Sequence, residues 1–346
     1  MKIIVDAMGG DNAPQAPVMG AIQANREDGV DIVLVGRSEE ILKVLADNGI
    51  SDLPSGVEVA YASEVVEMCD DPATAFRKKK DSSLTVGLTL LKNGEGDAFI
   101  SAGSTGALLS GATLVTKRIK GIRRAALAPV VPTGNGGAVL IDCGANAECP
   151  PEYLLQFAYM GSYYAEKVLG RPNPKVGLLN IGAEPSKGTT LQTTVYPMLE
   201  AAKDAGRINF VGNVEAREAV EGAVDVIVSD GYSGNIFLKT MEGTGLFLAR
   251  QMKKMFTEGL TTKLAALLVS DGIKALKKTM DSSEVGGTAL LGISKPVIKA
   301  HGSSDAKAIR NAIGKAKEYI ASNIIQDITD NIDLMRLDAP AASEKE

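Results

Sequence analysis

Four polar, glycine-rich segments, each placed directly after an apolar run, hold most of the residues that could do chemistry. They read Asp6-Ala-Met-Gly-Gly-Asp-Asn-Ala-Pro, Ser101-Ala-Gly-Ser-Thr-Gly, Asp142-Cys-Gly-Ala-Asn and Ser229-Asp-Gly-Tyr-Ser-Gly-Asn. Glycine lets backbone N–H groups approach an anion, and the start of a helix adds a favourable dipole. The candidate substrate contacts are Asp6, Gly9, Gly10 and Asp11 in the first segment and Ser101, Gly103, Ser104, Thr105 and Gly106 in the second. Asn146 stands for the third, and Ser233 and Gly234 for the fourth. One such loop is ordinarily just a turn; several at one end of a sheet make a better case for a ligand. None matches the dinucleotide fingerprint G-x-G-x-x-G or the phosphate loop G-x-x-x-x-G-K-[ST].

Lys187, in Gly182-Ala-Glu-Pro-Ser-Lys-Gly, follows a fifth apolar run. It is either an exposed loop lysine or a cation that holds phosphate at a helix start. His301 is the only histidine, in Lys299-Ala-His-Gly-Ser-Ser-Asp, just before a helix-start pattern. Any proton transfer near neutral pH that needs an imidazole must use it. Cys69, Cys143 and Cys149 do not have metal-ligand spacing, so no metal and no cofactor is expected. Of the three, Cys143 has the position of a reactive thiol, beside a loop glycine. Arg77-Lys-Lys-Lys reads as a solvated basic face or a seat for an acidic partner.

The elements that must hold these loops are short apolar runs alternating with helical patterns. Candidate strands are Lys2–Val5, Asp31–Val35, Val57–Tyr61, Asp97–Ser101, Leu127–Val131, Ala138–Asp142, Lys175–Ile181, Ile208–Val211 and Val224–Ser229. Candidate helices are Ala16–Arg26, Glu39–Asn48, Leu84–Asn93, Thr105–Arg118, Pro151–Leu169 and Gly188–Ala205. This rhythm predicts a three-layer α/β/α fold with a mostly parallel sheet. Pro132-Thr-Gly-Asn-Gly-Gly should turn a hairpin between two of the strands. The whole chain, 1–346, reads as one α/β unit, with two lobes about a central cleft as its variant form.

Composition agrees. The 346 residues carry 37 basic and 42 acidic side chains, a net charge of −5, which argues against a nucleic-acid binder. Glycine, at 37 residues, exceeds the usual ~7% and implies many tight turns. Three cysteines do not make a disulfide framework, so a reducing cytosol is expected. The N-terminus lacks the pattern of a signal peptide, and no run of ~18 apolar residues occurs. Residues 241–282 break the rhythm with no strand candidate and many lysines. Leu260, Leu264, Leu267 and Leu268 share one helical face there. A projecting helical hairpin is expected, packed on a second copy of the chain.

Over nearly its whole length the sequence resembles a known family. VDAMGGDNAP, SAGSTGALLSGA, RKKKDSS, IKGIRRAALAP, DCGANAECPPEYLLQFAYMG, GNVEAR, SDGYSGNIFLKTMEG and KPVIKAHGSSDAKAI occur in the order found in the phosphate acyltransferases of bacterial phospholipid synthesis. The resemblance implies an enzyme that makes acyl phosphate from a fatty acyl thioester on acyl carrier protein and inorganic phosphate. It implies a fold like that of isocitrate and isopropylmalate dehydrogenases and of phosphotransacetylase. It also implies a cytoplasmic homodimer in peripheral contact with the membrane surface. Its catalytic positions fall on Lys187, Asn235 and His301. Asn12 stands where histidine is frequent, Ser104 where asparagine is, and Cys143 where an aliphatic residue is usual. Acyl carrier proteins are acidic, so docking on a chain of net negative charge needs a local basic patch; Arg118, Lys120, Arg123 and Arg124 are the candidates. The leucines of the hairpin are the candidate membrane contacts. An isopropylmalate-like dehydrogenase and a non-catalytic membrane-associated scaffold are the alternative readings.

Overall fold

The computed structural model describes residues 1–273 and 286–335. It holds two sheets where the sequence suggested one. Strands β1 (Lys2–Asp6), β2 (Asp31–Gly36), β3 (Val57–Tyr61), β4 (Ala98–Ser101) and β5 (Ala126–Ala128) belong to the first. Strands β6 (Val130–Val131), β7 (Ala138–Ile141), β8 (Lys175–Asn180), β9 (Asn209–Glu215) and β10 (Val226–Val228) form the second. The chain then returns to the first sheet with β11 (Thr288–Leu291) and β12 (Val297–Lys299). The strand orders are β3-β2-β1-β4-β12-β11-β5 and β6-β7-β10-β8-β9. Pairing is mostly parallel, as expected; β11 is antiparallel to both its neighbours, and β6 to β7.

The expected strand Leu127–Val131 is two strands in different sheets. Pro129 separates them, since proline cannot donate to a ladder. The expected hairpin is present as β6–β7. Solid apolar runs such as Ile3–Val5 and Val226–Val228 are buried, because helices cover both faces of parallel strands.

Helices α1 (Gln15–Asp28), α2 (Ser38–Asp47), α3 (Ala75–Lys78), α4 (Ser83–Asn93) and α5 (Thr105–Gly111) accompany the first sheet. Helices α6 (Pro151–Lys167), α7 (Thr190–Asp204) and α8 (Ala216–Glu221) accompany the second. The expected helix Thr105–Arg118 stops being α-helical at Gly111, passes through a π-turn at Ala112–Thr116, and ends where Lys117 takes a φ of 75°. Helix α9 (Gly231–Thr257) is 27 residues, about 40 Å long. It is followed by α10 (Leu260–Leu268), α11 (Ala306–Ala321) and α12 (Ile324–Asp330). Of the segment 241–282, where a hairpin was expected, the described residues hold the rest of α9 and then α10, and the first helix begins ten residues earlier; residues 274–282, with Lys274, Lys277 and Lys278, lie outside the described residues. Leu264, Leu267 and Leu268 are 63%, 72% and 88% exposed, and the side chain of Leu260 lies outside what is described.

Each sheet presents the carboxyl ends of its central strands to one cleft. In the first sheet the strand order reverses between β1 and β4, the place where open α/β sheets bind ligands. In the second, β7, β10 and β8 lie side by side and end in the Asp142, Ser229 and Ile181 loops.

Candidate active site

The cleft encloses about 1850 Å³ and takes its lining from both sheets and from α9. Of the residues expected from sequence, Asp11, Gly103, Thr105, Ser233, Asn235 and His301 line it. The others stand behind these as supports or beside them on the rim.

The support under the first sheet is built around Asp6, which is 3% exposed at the end of β1. Ser101 Oγ donates to Asp6 Oδ2 at 2.6 Å and accepts from the Gly103 N–H at 3.0 Å. Met8 N–H donates to Asp6 Oδ1 at 3.2 Å. Burial pushes the Asp6 carboxyl above the usual range, and these hydrogen bonds pull it back. Gly9 sits where a Cβ would lie 2.5 Å from Asp6 Oδ2, and Gly10 has a φ of 103°. Those glycines let the β1 and β4 loops touch. A Cβ on Gly106 would lie 2.8 Å from Pro72, and Ser104 caps α5 by accepting from the Ala107 N–H. Asp11 N–H donates to the Gly302 carbonyl at 2.8 Å, and Asn12 Nδ2 to the Ser303 and Ser304 carbonyls at 3.1 and 3.2 Å. Asn12 therefore ties the first loop to the histidine loop.

The support under the second sheet is Asp142, fully buried. Its Oδ1 accepts from the N–H groups of Leu127, Cys143 and Ala145 at 2.9, 2.8 and 3.2 Å. Its Oδ2 accepts from Asn146 N–H at 2.7 Å and Asn146 Nδ2 at 3.1 Å. Burial raises the carboxyl, opposed by those same donors. Asn146 Nδ2 also donates to the Ala125 carbonyl at 2.9 Å, so this asparagine braces the loop rather than facing the cleft. Gly234 allows α9 to lie against that loop: a Cβ there would be 2.0 Å from the Asp142 carbonyl oxygen. Asp230 caps α9 by accepting from Ser233 N–H at 2.8 Å. Asn235 is exposed at the start of the second turn, facing Gly144 across the cleft wall.

His301 is exposed in the loop between β12 and α11. Ser303 N–H donates to its Nδ1 at 3.3 Å, and Ser303 Oγ lies 2.9 Å from the same atom. An accepting Nδ1 assigns the proton of the neutral ring to Nε2. Lys187 is exposed on the rim; its carbonyl accepts from Asn180 Nδ2 at 3.1 Å, and its neighbours Gly188 and Thr189 line the cleft. Cys143 lines the cleft, but burial pushes its thiol far up, so it stays protonated and unreactive. Arg118, Lys120, Arg123 and Arg124 are exposed just before β5, and Arg123 Nε lies 3.8 Å from Glu152 Oε1. In the Arg77 run, Lys79 pairs with Asp70 at 2.5 Å.

Two contributors were not anticipated. One is Lys299 on β12, which lines the cleft from within an apolar strand; a lysine inside Val297-Ile-Lys-Ala was the available signal. The other is an apolar wall of Val130, Val131, Ile236, Met241 and Leu248 that continues the polar floor along α9. No group of three or more His, Cys, Asp or Glu side chains that could hold a metal ion occurs among the described residues.

The fold is similar to that of a phosphotransacetylase from Streptococcus pyogenes, with a TM-score of 0.61 at 18% identity over 92% of this chain and 94% of that one. A branched-chain phosphotransacylase from Enterococcus faecalis matches with a TM-score of 0.54 at 13% identity, over 92% and 99%. At such identities the likeness concerns the fold alone. Sequence relatives are nearer. The phosphate acyltransferase of Thermoanaerobacterium thermosaccharolyticum is 46% identical over 99% of this chain and 100% of its own. That of Thermoanaerobacter pseudethanolicus is 47% identical over 97% and 98%. A family model described as fatty acid synthesis protein matches residues 1–327. With its two-sheet cleft and these full-length relatives, the chain belongs to the fatty acid synthesis protein family that includes the phosphate acyltransferases.

Proposed function

We infer that the cleft transfers a fatty acyl group from a thioester on acyl carrier protein to inorganic phosphate, an early step of phospholipid synthesis. Acyl transfer to phosphate is the activity named for the full-length relatives, and the chain is an acyltransferase of that kind. The observation that carries the reading on the structure is the joining of a polar floor, built from anion-suited loops, to an apolar wall in one cleft. A phosphate needs the first and an acyl chain the second. Family membership favours neither the dehydrogenase nor the scaffold reading. The finer fold assignment, to the isocitrate and isopropylmalate dehydrogenase-like group, is proposed on the paired sheets and the cleft between them.

Phosphate is itself the nucleophile. One of its oxygens attacks the thioester carbonyl carbon, the C–S bond breaks, and the departing thiolate takes up a proton. No protein nucleophile is needed, in keeping with a Cys143 thiol that burial holds protonated. The protein's task is to hold a dianion against an acyl carbon, and such positioning is worth up to ~7–11 kcal/mol. Lys187, on the rim, draws the phosphate in. Asn235 offers an amide donor to the developing oxyanion. His301 offers Nε2–H to the phosphate or to the leaving sulfur; both roles use the same donor.

The exposed patch of Arg118, Lys120, Arg123 and Arg124 is the proposed seat of the acidic carrier protein. The α9–α10 hairpin is proposed as the site of homodimer and membrane-surface contact, which would make the protein a peripheral membrane protein of the cytoplasm. No described helix is long and apolar enough to cross a bilayer.

The purified protein should form acyl phosphate from acyl carrier thioester and phosphate, trapped as hydroxamate by hydroxylamine. Reduction of a nicotinamide, or carrier binding without turnover, would overturn the reading. A second outcome concerns the hairpin tip. Leu267→Glu with Leu268→Glu should leave the protein dimeric and active on soluble thioester but abolish flotation with anionic vesicles, since lysine-bordered apolar faces lie in the interface. Sedimentation velocity run beside flotation checks it: dissociation or aggregation would make these leucines the dimer core, and a dimer that still floats would remove the tip from membrane contact.

A further inference from the structure

Lys299 ends β12 in register with Ser101 of β4, at the junction of the loops that carry Asp11, Gly103 and His301. The residue is only 9% exposed, yet it lines the cleft. Nζ donates to the Ala102 carbonyl at 3.2 Å and to the Ala300 carbonyl. Those bonds use two of the three N–H groups an ammonium has. No ion pair within 4.0 Å joins Lys299 to a carboxylate among the described residues. Buried charge without a contacting counter-charge is costly. A buried cation that faces a ligand cleft with one donor to spare suits a small oxyanion, for which lysine acts as a point charge.

We infer that Lys299 binds the acceptor phosphate from the floor of the cleft. This rests on the acyl-transfer reading above and adds a residue to it. The rival reading is structural: Nζ pins the Ala102 and Ala300 carbonyls and so holds the ends of β4 and β12 together.

The two separate in kinetics. Lys299→Met, in the full-length protein, should raise the phosphate KM at least about tenfold while the thioester KM stays within about twofold. Lys299→Arg should recover part of the phosphate affinity. Burial pushes the Lys299 ammonium down to about 8; Asp6 and Asp11 facing it from β1 and its loop oppose this, and Lys239 from α9 adds to it. The cation is therefore lost as pH rises through that value, and the wild-type phosphate KM should climb there. In Lys299→Arg the climb should vanish, because guanidinium keeps its charge. His301, in the following loop, is present in all three proteins and so cancels from the comparison. Equal rises in both KM values with a lowered melting temperature, or an unchanged phosphate KM in folded Lys299→Met, would overturn the inference. If the wild-type protein made no acyl phosphate, the acyl-transfer reading would fail by itself. Calorimetric titration of inorganic phosphate into wild type and Lys299→Met would still test the inference: weaker binding in the variant supports it, and equal binding or none in both overturns it.

Discussion

Asn235→Ala should lower kcat by about 10²–10³-fold, equivalent to ~2.7–4 kcal/mol, with little change in the phosphate KM. The amide stands at the start of the second turn of α9, exposed to the cleft, and the helix start is held by the Asp230 cap and by Gly234 against the Asp142 carbonyl. A donor so placed costs no reorganisation when charge develops on the thioester oxygen. Alanine keeps the helix and removes an exposed side chain, so the fold should survive. Steady-state kinetics in both substrates decides the matter. A raised phosphate KM with kcat intact would make Asn235 a ground-state binding group and move the oxyanion elsewhere.

Asp142→Ala should cost at least about 3 kcal/mol of stability, since a buried donor left unsatisfied costs ~1–3 kcal/mol and this carboxylate serves several. Four backbone N–H groups and the Asn146 amide converge on it. One of the four belongs to Leu127 of β5, in the other sheet, so the carboxylate also joins the two halves of the cleft. Asp142→Asn should fall short of rescue, because its NH₂ would meet N–H donors. Urea unfolding of the three proteins gives the test; a loss under 1 kcal/mol in the alanine variant would mean that water replaces the carboxylate at no great cost.

The residues show why part of this was legible in the sequence and part was not. Solid runs such as Val226–Val228, and loops of glycine with Ser, Thr or Asp, mark strands buried on both faces and their carboxyl ends. Which loop residues line the cleft was not legible, because close packing and ligand contact call for the same residue types. Gly9, Gly106 and Gly234 are small to admit neighbouring atoms, and Asn146 spends its amide on Asp142 and Ala125. The start of α9 was obscured by Gly231 and Gly234, which dilute the helical pattern where the Asp142–Asn146 backbone demands them. Strands β11 and β12 are short and lie outside the β-then-α rhythm, so Thr288–Leu291 and Val297–Lys299 drew no strand reading. Lys299 was hidden with them, a charge within an apolar run whose meaning comes only from its neighbours across the sheet.

The route of the chain through the two sheets bears on synthesis. The strands of the five-stranded sheet are contiguous, from Val130 to Val228, and can pair as soon as they leave the ribosome. The seven-stranded sheet cannot be finished then. Strand β5 pairs only with β11, and β11 reaches β4 only through β12. Until residue 291 has emerged Leu127 and its neighbours lack their partner strand, and until residue 299 has emerged β4 presents an unpaired edge, the kind of surface that recruits other chains. The last strand to arrive also brings Lys299 and, two residues on, His301. If Lys299 and His301 hold the phosphate as proposed above, a nascent chain gains its phosphate site only when its larger sheet is closed.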